Sequence, residues 1–403
     1  MTTDVAASSG LCGIDSVEIA RIERLLRETP AEDLLKLFSA QELRDSGDGP
    51  GRAASLAARF AAKEACLKLF PRETALNTIV AADFSVTRDS YGAPRAVCTP
   101  AAADVLCRYQ VKRIALSLTH DVTTASAVAL AERAETEVPL VGKLGFYLLP
   151  LRRRVILDNL RRVYGSTLPE RKIVRLAQAH YAHLARLVRE FLVYPWLSEA
   201  RRLALVTVEN RAAIEAAHGQ GKGLLVLTGH FGNWEVSTIA GIRSVADVRC
   251  TFYFVRRPLK PQWFENFVTR RFRRAGFGVL PKRGALDAIL DRLEAGDAIV
   301  FPFDQHASGS DGVRVEFFGH PAGTFRSLAI LALATGAPVV PAASWREPDG
   351  RHVLRFEEAL PVIECEDTNE AIRRNTRAYN AALERLILRH PEQWWWIHRR
   401  WKG

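Results

Sequence analysis

The spacing of hydrophobic and polar residues changes partway along the 403-residue chain and predicts two different folds. Up to about residue 133, segments that alternate in the manner of strands stand among alanine-rich helical segments, and a hairpin-type turn at 89–92 joins two strands. This pattern predicts an α+β fold. From residue 152 onward, amphipathic helices lead into apolar strands that alternate with helices. That alternation predicts an α/β sheet covered by helices.

The predicted elements divide the chain into two domains. The first covers residues 11–133 after a tail at 1–10, and the second covers residues 144–403. The connection between them, at 134–143, contains no glycine-, serine- or proline-rich linker, so we expect a short coupling of the two domains.

The longest stretch without charged residues runs from Ser327 to Trp345. It is long enough to cross a bilayer, but Gly336 and Pro338 interrupt it, so it predicts a buried helix followed by a buried strand. The first residues have no apolar run of the signal-peptide type, and the six cysteines include no C-x-x-C pair. These features predict a cytoplasmic chain without a transmembrane helix, with peripheral attachment to the inner face of the cytoplasmic membrane left open.

Charge is distributed unevenly between the two domains. Residues 1–134 carry 16 Lys and Arg against 17 Asp and Glu, whereas the rest of the chain carries 40 against 28. A basic second domain indicates a partner rich in phosphate, such as anionic lipid or nucleic acid. Because the pattern matches no nucleic-acid-binding fold, we expect no nucleic-acid partner.

Asp15, Glu64 and Lys68 form the first candidate site. Asp15 stands where a strand is predicted to end and a helix to begin, so a helix N-cap is the plain alternative. Glu64 and Lys68 stand four residues apart and share a helix face, which Lys63 does not. A solvated ion pair is the alternative for these two, although they lie in an alanine-rich segment of buried character.

With neighbouring segments, these residues resemble the holo-acyl-carrier-protein synthase family of 4′-phosphopantetheinyl transferases. The similarity covers about residues 11–133 and rests on Gly-Ile-Asp15-x-Val-Glu-Ile, Phe38-Ser-Ala-Gln-Glu42-Leu, Arg59-Phe-Ala-Ala-Lys63-Glu64-Ala-x-x-Lys68, Asp89-x-x-Gly92-x-Pro94 and Ser117-Leu-Thr-His120-Asp121. It implies transfer of phosphopantetheine from coenzyme A to a serine of an acyl carrier protein, with release of 3′,5′-ADP.

The resemblance also implies roles for individual residues. Asp15 and Glu64 match the Mg²⁺ ligands, and Glu64 and Lys68 are the implied catalytic residues. The implied coenzyme A-binding residues are Arg59, Lys63, Lys68 and His120. Arg21 and Arg24 are the candidates for contact with an acidic helix of the carrier protein, and a homotrimer is implied for this domain.

The family pattern is interrupted after Lys68. Residues 69–75 replace a glycine-rich turn, and Thr123 and Thr124 stand where a tyrosine is usual. The metal carboxylates are therefore kept while the nucleotide pocket is changed. Two hypotheses stay open for this domain, an active phosphopantetheinyl transferase and a non-catalytic module that docks the carrier protein.

His230 and Glu235 form the second candidate site. An apolar strand is predicted to end in the turn Thr-Gly-His230-Phe-Gly-Asn-Trp-Glu235, and Glu235 stands at a predicted helix start. A carboxylate beside an imidazole fixes the tautomer of the ring and raises its basicity, so the pair can activate a hydroxyl nucleophile. A helix-capping glutamate and a buried structural histidine are the alternatives.

The region from about residue 140 to the end resembles the lipid A biosynthesis lauroyl/myristoyl acyltransferase family, within the lysophospholipid acyltransferase superfamily. The similarity rests on Asn159-Leu160, Gly221-Lys-Gly-Leu-Leu, the His230 turn, Arg257-Pro258, Phe303-Asp304-Gln305, Val315-Glu-Phe-Phe-Gly319-His-Pro321-Ala-Gly-Thr324, Pro338-Val-Val-Pro341 and Pro391-Glu-Gln-Trp-Trp-Trp-Ile-His398. It implies O-acylation of a lipid-like acceptor by an acyl thioester, without a metal or a dissociable cofactor. Acyl carrier protein is the expected donor.

Site residues follow from this second resemblance as well. His230 is the implied general base and Glu235 its partner, and the implied acceptor-binding residues are Arg257, Asp304, Gly319 and Thr324. An ion pair with Arg257 or Arg326 is the alternative for Asp304. For Trp394–Trp396, a bilayer interface and a packed aromatic cluster are both open.

The two resemblances fit one reaction sequence, because the first activity makes the thiol arm on which the second activity's acyl chain is carried. The sequence therefore predicts a bifunctional transferase with coenzyme A, acyl carrier protein and a lipid-like acceptor at a membrane surface as partners. An acyltransferase with a docking module is the alternative.

Overall fold

The computed structural model describes residues 11–72, 78–243, 250–256, 260–281 and 284–402. The chain forms two compact units, Met1–Glu135 and Thr136–Gly403, and each is described separately. The predicted pairing of an α+β domain with an α/β domain is confirmed, with a sheet and covering helices in each unit.

The N-terminal unit is built on a five-stranded antiparallel sheet with the order β1-β5-β4-β3-β2. Its strands are β1 Leu11–Glu18, β2 Phe84–Arg88, β3 Pro94–Cys98, β4 Val111–His120 and β5 Thr124–Arg133. Its helices are α1 Ile19–Glu28, α2 Ala31–Leu34, α3 Ala40–Asp45, α4 Arg52–Leu67 and α5 Pro100–Arg108.

Helix α4 lies directly on the sheet because its packing face consists of small residues. Ala57, Ala61 and Ala65 are fully buried in the core of this unit. A Cβ atom at Gly13 of β1 would lie 2.0 Å from the carbonyl oxygen of Ala65, so glycine is required at this crossing. This close approach brings the side chains of β1 near the C-terminal turn of α4.

Strand β1 is longer than the sequence indicated, and Asp15 is not a helix N-cap. The helix predicted from residue 16 begins at Ile19, since β1 pairs with β5 over its full length, from Leu11 opposite Ala131 to Glu18 opposite Thr124. Pairing along the sheet satisfies the backbone groups of these residues and outweighs the local capping preference. Asp15 consequently lies within the strand.

A buried ion pair ties α3 to α4. The ammonium group of Lys63 lies 2.8 Å from a carboxylate oxygen of Glu42 and donates a hydrogen bond of 2.8 Å to the carbonyl oxygen of Phe84. Glu42 also accepts hydrogen bonds from the backbone N–H groups of Ser39 and Val86. Both charged side chains are almost completely buried, so their groups are satisfied within the core.

The C-terminal unit is built on a seven-stranded sheet with the order β6-β14-β13-β7-β10-β8-β9. Its strands are β6 Val206–Glu209, β7 Leu224–Thr228, β8 Phe252–Arg256, β9 Gly278–Pro281, β10 Ala298–Pro302, β13 Val339–Arg346 and β14 His352–Phe356. A separate hairpin consists of β11 Gly312–Phe317 and β12 His320–Phe325.

Helices surround this sheet and also precede it. They are α6 Leu140–Leu148, α7 Arg153–Tyr164, α8 Glu170–Val193, α9 Glu199–Ala204, α10 Arg211–His218, α11 Trp234–Arg243, α12 Gln262–Arg274, α13 Leu286–Glu294, α14 Ser327–Thr335 and α15 Thr368–Arg389. The predicted helix and strand between Ser327 and Trp345 are confirmed as α14 and β13, and every residue of β13 is buried. In the described parts of the chain, no helix has both the length and the apolar composition that crossing a membrane requires.

The order of the central strands determines where the site forms. Strands β7 and β10 are parallel neighbours, with Thr228 opposite Pro302. Both strands therefore end at the same edge of the sheet, and the residues that follow them meet there. Five helices and strands lie between β7 and β10 in the described parts of the chain, so this neighbourhood is a property of the topology.

Candidate active sites

His230 and Asp304 meet at the shared edge of β7 and β10. The Nδ1 atom of His230 lies 2.9 Å from Oδ1 of Asp304, and the backbone N–H of His230 donates a 2.7 Å hydrogen bond to Oδ2. A Cβ atom at Gly229 would lie 3.0 Å from Oδ2 of Asp304, so the small residue before the histidine leaves room for the carboxylate. One carboxylate thus holds both the ring and the backbone of His230.

The electrostatics of the pair favour an ionised carboxylate and a basic imidazole. Burial alone would raise the pKa of Asp304, but the imidazole, the two hydrogen bonds from His230 and one from Trp394 hold that pKa at about 2. Burial disfavours the charged form of His230, yet the charge of Asp304 and its hydrogen bond raise the pKa of the imidazole. Asp304 is 2% exposed, so bulk water screens this interaction weakly.

The C-terminal segment covers this pair. The indole N–H of Trp394 donates a 2.9 Å hydrogen bond to Oδ2 of Asp304, and the backbone N–H of Trp395 donates to the carbonyl oxygen of His230 at 3.1 Å. Trp394 and Trp396 are fully buried and lie in edge contact with each other, with ring centroids 4.6 Å apart. The packed aromatic cluster is therefore confirmed, and a bilayer location for these two tryptophans is wrong.

A second buried network holds the turn that follows His230. The Asn233 amide donates a 2.8 Å hydrogen bond to Glu190 of α8, and the guanidinium of Arg346 forms two hydrogen bonds with the same carboxylate. Gln393 binds both the backbone N–H and the carbonyl oxygen of Arg346 through its side chain. Its own carbonyl oxygen accepts from the backbone N–H of Gly232. The turn is thereby fixed from α8, β13 and the C-terminal segment.

The other predicted residues of this unit lie in varied surroundings. Glu235 stands in the first turn of α11, as predicted, but its side chain lies outside the described part of the chain, as does all of Arg257. Gly319 occupies the turn between β11 and β12 with a φ of +74°. Asp304 was predicted to contact the acceptor or an arginine, and its oxygens instead accept from His230 and Trp394.

The prediction that Thr324 binds the acceptor is wrong, because this residue is completely buried in a structural network. Its hydroxyl oxygen accepts hydrogen bonds from the guanidinium of Arg400 at 2.7 Å and from the amide of Asn380 at 3.2 Å. Arg400 is also fully buried, and its guanidinium lies over the ring of Phe317. Thr324 therefore anchors the C-terminal segment and presents no surface to an acceptor.

In the N-terminal unit, the structure brings Asp15, Glu64 and Lys68 together. The ammonium group of Lys68 lies 2.7 Å from Oδ1 of Asp15. Partial burial raises the pKa of Glu64, and the charge of Asp15 raises it further, while the charges of Lys68 and Arg21 oppose the shift. Two interacting carboxylates thus lie near the crossing of β1 and α4, with the cations of Lys68 and Arg21 close to them.

The residues implied to bind coenzyme A do not form one exposed group. The prediction that Lys63 binds coenzyme A is wrong, because its ammonium group is buried against Glu42 and has no exposed surface for a nucleotide. Arg59 is 4% exposed and donates hydrogen bonds to Ser55 within its own helix. His120 is exposed at the end of β4.

The two residues proposed for carrier-protein contact are exposed on α1. Arg21 lies with its guanidinium 6.0 Å from the centre of the Phe60 ring, and Arg24 is exposed one turn further along.

Sequence reasoning missed the carboxylate partner of His230 and the tryptophan that binds it. The signal for Asp304 was a carboxylate placed directly after an apolar strand, and the signal for Trp394 was its place in a segment already matched to a family. Glu190 and Arg346 gave no comparable signal, since each is an ordinary charge in the sequence.

Two family models match this chain. Residues 134–403 match the model described as bacterial lipid A biosynthesis acyltransferase, and residues 11–129 match the 4′-phosphopantetheinyl transferase superfamily. A holo-[acyl-carrier-protein] synthase from Anaeromyxobacter sp. (strain K) is 38% identical over 123 residues, which are 30% of this chain and 93% of the relative.

Relatives of the second unit and solved structures were also found. A phosphatidylinositol mannoside acyltransferase from Mycolicibacterium smegmatis is 27% identical over 249 residues, which are 60% of this chain and 77% of the relative. The crystal structure of the holo-[acyl-carrier-protein] synthase of Helicobacter pylori in complex with coenzyme A is 26% identical and covers 30% of this chain and 99% of that chain, with a TM-score of 0.26.

Proposed function

Since the chain belongs to the bacterial lipid A biosynthesis acyltransferase family through residues 134–403, and to the 4′-phosphopantetheinyl transferase superfamily through residues 11–129, we propose that it is a bifunctional transferase. Its N-terminal unit would prime an acyl carrier protein, and its C-terminal unit would move an acyl chain from a thioester to a hydroxyl group. The contact between His230 and Asp304 carries the second activity.

The geometry supports His230 as the general base of acyl transfer. Asp304 is ionised at neutral pH, so the Nδ1 atom that faces it carries the ring proton and Nε2 is left as the acceptor. Nε2 takes the proton of the acceptor hydroxyl as its oxygen attacks the thioester carbonyl. The carbon–sulfur bond then breaks, and the proton passes from His230 to the leaving thiolate, which departs as the free thiol. Glu235 stays a predicted partner in this scheme.

Acyl carrier protein as donor and a lipid-like molecule as acceptor complete the proposal. The second domain's excess of positive charge favours an anionic lipid surface. The M. smegmatis relative is named for a phosphatidylinositol mannoside, which is a lipid acceptor of this kind. Exposed apolar residues of α6, including Leu140, Leu144 and Leu148, stand just before the basic run at 152–154 and support peripheral attachment.

The N-terminal site fits a magnesium ion. Asp15 and Glu64 would supply oxygen ligands. Partial burial and the charge of Asp15 raise the pKa of Glu64, and a cation bound by both carboxylates would offset this unfavourable interaction. Mg²⁺ is commonly held by one or two carboxylates together with substrate phosphates, so two protein ligands suffice. When bound, the ion would neutralise charge on the pyrophosphate of coenzyme A.

The chain's own residues would do the remaining work in this unit. Lys68, whose ammonium group lies against Asp15, would neutralise the charge that develops on the transferred phosphoryl group. Arg21 and Arg24 are exposed to an acidic carrier protein. The outer face of the sheet carries exposed Ile14 and Leu130, which supports association of several copies.

A docking module without catalysis is the second candidate for this unit. The observation that favours it is the segment after Lys68, where Leu69 and Phe70 are buried in the position of a glycine-rich turn. Such a module would bind the carrier protein and leave priming to another enzyme.

Intact-protein mass spectrometry separates these proposals. An apo acyl carrier protein incubated with this enzyme, coenzyme A and Mg²⁺ should gain one phosphopantetheine group, and Glu64→Gln should abolish the gain. In a parallel assay with an acyl carrier protein thioester and a lysolipid, His230→Ala should abolish acyl transfer while priming continues. Loss of both activities in either folded variant would contradict independent sites. No priming by the wild-type enzyme with several carrier proteins would favour the docking module.

A further inference from the structure

The segment from Pro391 onward is built into the fold of the C-terminal unit. The amide of Asn159 in α7 donates hydrogen bonds to the carbonyl oxygens of Trp396 and His398, at 2.8 and 2.7 Å. Arg400 donates to the carbonyl oxygen of Gly323 and to the hydroxyl of Thr324. These anchors hold the segment independently of His230, so its position is set before any substrate binds.

From this anchored segment, Trp394 reaches the carboxylate that controls His230. Its indole N–H shares Oδ2 of Asp304 with the backbone N–H of His230, while Oδ1 faces the imidazole. Trp394 is 1% exposed and its ring also contacts Phe317 and Trp396. A carboxylate with donors fixed on both oxygens cannot rotate about its Cβ–Cγ bond without losing hydrogen bonds.

We propose that Trp394 is a positioning residue for acyl transfer, which fixes the plane of the Asp304 carboxylate and limits how strongly that carboxylate draws a proton onto His230. The inference rests on the proposed role of His230 as the general base. Trp394 acts through Asp304 and touches no reacting atom in this scheme.

The sign of the effect follows from the hydrogen bond. The indole N–H spreads part of the negative charge of Asp304 away from the imidazole, so its removal leaves more charge facing His230. The protonated form of His230 then gains stability, and the pKa of the imidazole rises. A base that is protonated over a wider pH range is less available at neutral pH.

Other groups around the pair are unchanged by such a variant. His398 and Arg400 of the C-terminal segment interact electrostatically with Asp304, and the rings of Trp234 from α11 and His230 lie in T-shaped contact. The Glu235 side chain lies outside the described part of the chain. Among the described groups, His398, Arg400 and Trp234 do not share the Trp394 hydrogen bond, so a shift that appears in a Trp394 variant alone reports on that bond.

The chain supplies a matched control. Trp396 is also fully buried and donates its indole N–H to a backbone carbonyl oxygen, that of Pro391. Trp396→Phe therefore removes the same group from the same cluster without touching Asp304. Where Trp394→Phe folds poorly, 3-benzothienylalanine at position 394 keeps the ring shape and replaces the N–H with sulfur.

The test is the pH profile of kcat/KM for acyl transfer from an acyl carrier protein thioester to a lysolipid. In the Trp394 variants, the acidic limb of the profile should shift to higher pH by about 0.5–1 unit, and kcat should fall about three- to tenfold. The KM values for the thioester and for the lysolipid should stay within about twofold of the wild type. Trp396→Phe should leave the limb in place. The Nδ1–H proton resonance of His230 should shift in the Trp394 variants and stay unchanged in Trp396→Phe.

Two outcomes would overturn the inference in different ways. If the profiles of the Trp394 and Trp396 variants coincide while His230→Ala is inactive, Trp394 is a packing residue and the proposed base survives. If His230→Ala retains activity, the proposed function fails, and the role of Trp394 fails with it.

Discussion

Replacing Asp304 by asparagine separates the charge of the carboxylate from its shape. The wild-type carboxylate accepts from three donors: Nδ1–H of His230, the backbone N–H of His230 and the indole N–H of Trp394. An amide of the same size offers one oxygen and one NH₂ group. It can serve at most two of these donors well, because its NH₂ group must face at least one of them.

The structure indicates which arrangement the amide takes. Oδ2 accepts two hydrogen bonds from fixed groups, whereas Oδ1 faces a ring whose proton can move between its nitrogens. Placing the amide oxygen at the Oδ2 position satisfies both fixed donors and points the NH₂ group at Nδ1. The ring of His230 then has to accept at Nδ1 and carries its proton on Nε2, where it can no longer act as a base.

A wrong tautomer of the catalytic histidine strongly lowers the reaction rate. In serine proteases the equivalent exchange lowers kcat roughly 10⁴-fold, and we expect Asp304→Asn to lower acyl transfer by roughly 10³- to 10⁴-fold. The lower bound corresponds to about 4 kcal/mol of lost transition-state stabilisation. Loss of the carboxylate charge also lowers the pKa of His230, so residual activity should extend to lower pH than in the wild type.

The assay is acyl transfer at substrate saturation, followed across the pH range, with ¹⁵N resonances of His230 reporting its tautomer. Asp297→Asn is the control, because Asp297 precedes the same strand and accepts from the backbone N–H of Thr251 at the opposite edge of the sheet. A folded Asp304→Asn enzyme with kcat within about threefold of the wild type would refute the reasoning, as would an Nδ1-protonated ring in that variant.

Three further predictions concern stability and the first site. Lys63→Ala should lower the free energy of unfolding by about 3–5 kcal/mol in chemical denaturation, since it leaves Glu42 buried without its cation, whereas Lys36→Ala at an exposed pair should cost less than about 1 kcal/mol. Burial and the charge of Asp15 raise the pKa of Glu64, so priming activity at limiting Mg²⁺ should begin to fall at a higher pH than a glutamate with an ordinary pKa would give. Saturating Mg²⁺ should shift this fall in activity to lower pH. Thr324→Val should lower the free energy of unfolding by about 1–3 kcal/mol and leave the KM for the acceptor unchanged, while Thr324→Ser should resemble the wild type.

The sequence predicted the residues that stand at strand ends better than it predicted their partners. His230 and Glu235 were paired because they stand five positions apart in one turn, but the carboxylate found against the imidazole comes from position 304. The reason is topological. Strand β10 pairs with β7 although β8 and β9 come between them in the chain, and hydrophobic patterning of single strands does not encode that order.

Local preferences misled in the N-terminal unit for a related reason. Asp15 was weighed as a helix N-cap, yet pairing of β1 with β5 extends the strand three residues beyond it. Lys63 was expected to bind coenzyme A because its motif also holds Lys68, although Lys63 stands off the helix face of Glu64 and Lys68, since one residue of helix turns a side chain by about 100°. That rotation places Lys63 in the core and Glu64 near Asp15. Facing directions within the motif, and not its presence, decide which residues can reach a ligand.

The contacts around His230 bear on where specificity for the acceptor can reside. The ring, its backbone and its carboxylate partner are held by β7, by the segment after β10 and by the C-terminal tryptophans, and the following turn is held by Glu190 and Arg346. A base fixed in this way has little freedom to adjust to different hydroxyl groups, so the acceptor must be brought to it in one orientation. Substitutions inside the network should therefore reduce kcat for every acceptor to a similar degree. Variants with altered acceptor preference should arise instead among residues that surround Nε2 without contacting Asp304 or Glu190, and a selection for new acceptors that returned Trp394 or Arg346 variants would contradict this division.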